Sequence, residues 1–188
     1  MKNNTNYFKV IILLLLTLLV CFAFTACSFV FNAVEVFSNP PPEPAVQYAE
    51  FPFNLVYELD GENIEVVDVY VCEYDGVAFT SNGWMRKWKG YVKSTEENDL
   101  FITSNEGKKI YFMVGLPAEC MGDSSNKREW AETGLWHRTA LEDYAYESEK
   151  TEDGYEWQRI ISAEDLLSKY NVKFISFEHA APIENTFE

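Results

Sequence analysis

The chain has 188 residues, 15 of them basic and 30 acidic, for a formal charge of −15 at neutral pH. That excess of carboxylate disfavours nucleic acid, whose phosphates it repels at long range, and flat adsorption onto anionic lipids or wall polymers. The length suits one ordinary domain with short flanks and is short for two.

Lys2 and Lys9 precede an uncharged run from Val10 to Val34, and Val10 to Val20 holds only Val, Ile, Leu and Thr17. A basic start, an apolar core and then small residues is the order of an export signal. The lysines favour the cytoplasmic side. The run leads into Phe24-Thr25-Ala26-Cys27. This tetrapeptide resembles the lipobox of bacterial lipoproteins, with Phe24 standing where that family commonly carries Leu. The resemblance implies a signal peptide over 1–26, acyl chains of the palmitate type on the sulfur of Cys27, and a body beyond the membrane. An uncleaved transmembrane anchor is the alternative, because about 20 apolar residues suffice to span a bilayer. Both place the body on the extracytoplasmic face. Cleavage removes two lysines and no acid, leaving 13 basic against 30 acidic residues and a formal charge of −17.

Asn39-Pro40-Pro41-Pro42-Glu43-Pro44 holds four of the seven prolines, a composition that favours an extended spacer. Residues 27–49 read as a lipid-anchored tether and residues 50–188 as a single domain. All five tryptophans and ten of the eleven tyrosines lie beyond the signal, enough large apolar surface for a real core.

Phe53, Leu55, Tyr57 and Leu59 alternate with Asn54, Val56 and Glu58, the pattern of a half-buried strand. Asp60-Gly61 predicts a hairpin turn into a second strand from Ile64 to Tyr74, ended by Asp75-Gly76. The apolar phase of that strand shifts at Val66-Val67, which predicts a bulge. Further strands are expected over Trp88–Ser94, Leu100–Thr103, Lys109–Val114, Tyr155–Ile161 and Lys173–His179, with Asn105-Glu106-Gly107 turning one hairpin. Ser162 caps a helix whose apolar stripe is Ala163, Leu166, Leu167 and Tyr170, stopped at Asn171. Residues 117–154 show no regular pattern, and the tail after Pro182 is expected to fray. The elements predict a mainly β fold, an antiparallel sandwich or open barrel with the C-terminal helix packed on it. An α+β arrangement is the alternative.

Cys72 and Cys120 are a candidate disulfide, because export permits bridging and the two allow one intramolecular pairing; two buried free thiols would read identically. Gly122-Asp123-Ser124 resembles the opening of the nucleophile block of GDSL esterases, but Ser125 replaces the leucine and His179 lacks the preceding Asp. No G-x-S-x-G, C-x-x-C or H-E-x-x-H occurs. Lys127 interrupts any calcium-loop reading of Asp123-Ser124-Ser125-Asn126. The acidic run from Glu142 to Glu156 reads chiefly as a solvated face. No catalytic residue, cofactor or metal is expected.

The group Trp84, Arg86, Lys87, Trp88, Lys89, Tyr91 and Lys93 stands out as basic and aromatic within an acidic chain. Trp84, Trp88 and Tyr91 form a candidate ligand face, since aromatic faces stack on sugars. Core packing for the tryptophans and edge protection by the lysines is the plainer reading. The functional expectation is a non-enzymatic, membrane-tethered binding or accessory domain for a protein or glycan. The alternatives are a cell-envelope carbohydrate-active hydrolase and a protective lipoprotein that captures a basic protein.

Overall fold

The computed structural model describes residues 39–80, 83–123, 140–151 and 153–187. The signal peptide, Cys27, the tether up to residue 38, Ser124-Ser125-Asn126, Lys127 and Glu152 lie outside the described residues. Residues 42–78 with 85–188 form one compact unit, the body, and Phe79–Trp84 belongs to another.

Among the described residues eight strands form two four-stranded sheets, joined by antiparallel pairings where the register is resolved. The first sheet has the order β3-β2-β1-β8, from β1 (Tyr48–Leu59), β2 (Glu62–Thr80), β3 (Gly83–Val92) and β8 (Val172–His179). The second runs β4-β5-β6-β7, from β4 (Leu100–Asn105), β5 (Lys108–Phe112), β6 (Ala145–Lys150) and β7 (Glu156–Ile160). A short helix α1 (Pro117–Cys120) follows β5, a 3-10 turn (Leu141–Tyr144) precedes β6, and α2 (Ala163–Tyr170) precedes β8. The fold is the mainly β, antiparallel arrangement with a C-terminal helix that the patterning predicts.

The alternation in β1 buries Phe51, Phe53, Leu55 and Tyr57. They meet the inner face of the second sheet through aromatic rings. Phe112 of β5 lies 4.9 Å from both Phe174 and Phe177 of β8, while Tyr57 and Phe53 pack on those two at 6.1 and 6.2 Å. Such pairs add to ordinary area burial, and Phe112 with Phe174 and Phe177 joins the sheets.

Both predicted hairpin turns are present. Asp60 and Gly61 have φ of 53° and 85°, and Glu106 and Gly107 have 51° and 82°, the left-handed pairs of two-residue turns that suit the strand twist. In α2 the Ser162 hydroxyl accepts from the Asp165 amide at 3.1 Å, Asn171 is left-handed, and Leu166 and Tyr170 are buried. Leu167 stays exposed.

Four expectations are corrected. β1 and β2 pair without a break from Tyr48↔Glu73 to Leu59↔Glu62, so there is no bulge at Val66-Val67. Val67 is simply left outside, 72 % exposed, and one exposed valine costs less than breaking a ladder. β2 continues through Asp75-Gly76 to Thr80. β6 and α1 occupy part of the stretch that reads as irregular. The tail does not fray: Pro44 bridges Phe187, Ala45 donates to the Thr186 carbonyl at 2.9 Å, and Val46 exchanges bonds with the Asn185 amide.

Candidate functional site

On the first sheet, β3 is an edge strand whose alternation separates the residues of the basic and aromatic group. Arg86, Trp88, Gly90 and Val92 turn inward. The Trp88 ring packs on the core, meets Tyr74 edge-on at 5.4 Å, and donates its indole N–H to Asp123 at 2.9 Å. Tyr91 lies on the opposite face and donates to Glu73 at 3.0 Å, with the Lys89 ammonium 5.0 Å over its ring. Trp84 packs edge-on against Phe79 at 5.2 Å within its own unit. Trp88 and Tyr91 therefore do not share a ligand face.

Most of the basic residues in this group are matched by acids. Arg86 is buried with Asp123, Lys87 pairs with Asp75 at 2.5 Å, and Lys93 pairs with Glu50 at 2.9 Å. On the outer face Lys87–Asp75 and Lys93–Glu50 are exposed ion pairs. Asp123, the middle residue of the esterase-like triplet, is committed to Arg86 and Trp88.

The second sheet carries a different surface. The register Phe101↔Tyr111↔Tyr146 sets one aromatic row across β4, β5 and β6. Tyr111 and Tyr146 stack at 5.4 Å with 18° between planes, and Phe101 meets Tyr111 edge-on at 5.8 Å. Their strand neighbours Leu100, Ile102, Ile110, Phe112 and Ala145 point to the core, so the row is on the outer face. Two residues further along each strand, Lys109, Ser148 and Gln158 form a polar row, followed by Lys150 and Glu156. Asn98 and Asp99 close one end. Tyr111, Tyr146 and these polar residues line an open groove of about 540 Å³, with Phe101 outside it. The Tyr146 hydroxyl donates to Asp99 at 2.8 Å, and Ser148 donates to Glu156. Burial, then the Asp99 carboxylate, pushes the Tyr146 phenol above its ordinary pKa, keeping it a donor. Asn98 and Asp99 also border a second cleft of about 360 Å³, lined by Tyr70, Trp88, Gly90 and Pro117.

On the inner face the same sheet ends in charge. Glu147 is 1 % exposed, accepts from the Tyr170 hydroxyl at 2.7 Å and from Arg159 at 3.3 Å, and lies 3.6 Å from Lys108. Burial pushes the Glu147 carboxyl up, but Tyr170, Arg159 and Lys108 outweigh it and hold the pKa below the usual range. A carboxylate held ionised in this way cannot serve as a general acid at neutral pH. Glu149 shares that face with Lys108, whereas Glu156 faces the groove, so the acidic run is divided between two sides of the sheet.

The chain matches no family model, no curated protein and no solved structure. Among the described residues no helix is long and apolar enough to cross a membrane.

Proposed function

We propose that this chain is a non-enzymatic binding module, tethered through Cys27 on the extracytoplasmic face of a bacterial membrane, that takes a glycan on the outer face of its second sheet. The observation that carries this reading is the stacked pair Tyr111 and Tyr146 standing beside rows of hydroxyl, carboxamide and charged side chains in an open groove. Sugars present apolar C–H patches and polar hydroxyls close together, and this surface offers a counterpart to each. Lys109 and Lys150 face three carboxylates, Glu97, Asp99 and Glu156, which favours a neutral or amphoteric ligand over an anionic one. A hydrolase remains the second reading, because the Asp99 and Glu156 carboxylates both reach the groove.

A glycan array probed with the full-length chain in detergent tests this, with Tyr111→Ala and Tyr146→Ala beside the parent. The expected result is selective binding that weakens roughly ten-fold in each variant while the circular dichroism stays unchanged. Binding indifferent to both substitutions, or abolished only by Trp88→Ala or Tyr91→Ala, sinks the groove as the site. Shortened glycans in the mass spectrum after incubation would move the assignment to the hydrolase.

A further inference from the structure

Cys72 lies on β2 and Cys120 is the last residue of α1; both are buried free thiols. The Cys120 sulfur lies beside Gly115, and the ring of Tyr70, two residues before Cys72 on β2, lies against the same glycine. Gly115 permits this approach, since a Cβ there would stand 3.2 Å from the Cys120 sulfur and 3.2 Å from the Tyr70 ring. The Tyr70 hydroxyl donates to the Gly115 carbonyl at 3.1 Å, so the chain before α1 is held against β2 beside the sulfurs. Two cysteines from distant segments, buried in one core with Tyr70 and with the local backbone pinned at Gly115, are placed for a bond.

We propose that Cys72 and Cys120 are a covalent clamp: oxidation joins them in a disulfide that ties β2 of the first sheet to the helix leaving the second. The segment between them contains β3, β4 and β5, the whole crossover from one sheet to the other. The clamp stands directly behind the Trp88 cleft. Tyr70, two residues before Cys72, and Pro117, which opens α1, are two of its walls. The bond therefore fixes the width of that cleft as well as the junction of the sheets.

The oxidant is a disulfide, either a small one or that of a thiol oxidoreductase. One cysteine, as thiolate, attacks the oxidant's sulfur and breaks its S–S bond, releasing one thiol. The second cysteine then attacks the mixed disulfide and releases the other. Two protons leave the pair, two electrons pass to the oxidant, and the Cys72–Cys120 bond is the one formed. Because both sulfurs are covered, a bulky oxidant reaches them only before the sheets close or during local opening.

The test uses the full-length chain in detergent, refolded with and without oxidised glutathione. Free thiols are alkylated in denaturant and the peptides are mapped. The expected result is a Cys72–Cys120 linked peptide and a melting temperature raised by about 10 °C, the order expected for closing a loop of this size. Protection of the Gly115–Met121 amides from hydrogen exchange rises with it. Full alkylation of both cysteines after oxidative refolding overturns the proposal, as does a bridged form that melts below the reduced one. The mapping needs no variant, so a poorly folding Cys72→Ser leaves the result interpretable. Where that variant or Cys120→Ala folds, oxidation adds nothing to its melting temperature.

Discussion

Glu147 brings a charge to the inner face of a sheet, and its neighbours make that tolerable. Its carboxylate is covered, but it accepts from Tyr170 and Arg159 and faces Lys108. An ionised group buried without such partners would cost several kcal/mol or take up a proton. The folded pKa lies below the ordinary carboxylate value. Its contribution is thus present above the unfolded value of about 4.3 and is lost as pH falls through the lower folded value. Glu147→Gln, which keeps the shape and removes the charge, is expected to cost about 2 kcal/mol at pH 7. Arg159 and Lys108 are partly exposed, so water already screens part of the pairing. Urea unfolding of parent and variant at pH 7 and pH 2.5 checks this. The gap between them should shrink at the acid value; a gap of equal size at both pH values would mean the charge contributes nothing.

At the scale of the element, the close approach of β3 to β2 rests on a missing side chain. A Cβ at Gly90 would lie 2.1 Å from the Tyr70 hydroxyl, 2.7 Å from its ring and 3.1 Å from Pro117. Tyr70 is buried and bonded to Gly115, so it has little room to give way. Gly90→Ala is expected to cost about 2–3 kcal/mol, the range of an overpacked core. Tyr70→Phe removes the nearest atom, so the double variant should be more stable than the sum of the two single costs, a coupling that thermal unfolding of all four proteins measures. Local signals such as the two hairpin turns and the Ser162 cap were legible in the sequence because their chemistry lies within four residues. β6 was not, because Glu147 breaks the apolar alternation and its partners Arg159, Lys108 and Tyr170 are all at least 12 residues distant. The candidate site escaped for the same reason. Tyr111 and Tyr146 form a row only through the register of β5 with β6. Trp88 and Tyr91 are neighbours in sequence, whereas Asp123 and Glu73, which engage them, are distant.

Across the whole body, one guanidinium gathers segments from both ends of the chain. Arg86 makes two bonds to Asp123 at 2.8 and 2.9 Å, donates to the Pro42 carbonyl at 3.2 Å, and stacks 3.9 Å over the Phe187 ring. It thereby links β3, the loop after α1, the proline run at Pro42 and the C-terminal tail. Arg suits this position because its planar fork can bind a carboxylate in two places and still stack on a ring. Replacing one partner should be far worse than replacing both. Asp123→Ala leaves the guanidinium covered beside an absent carboxylate and is expected to cost about 3–5 kcal/mol, whereas Arg86→Met with Asp123→Leu should cost much less. Limited proteolysis gives a second readout: in Asp123→Ala the bonds joining residues 44–46 to 185–187 should open, and cleavage after Pro182 should speed up. Equal stability losses in the single and double variants, with the tail still protected, would show that the segments hold together without Arg86.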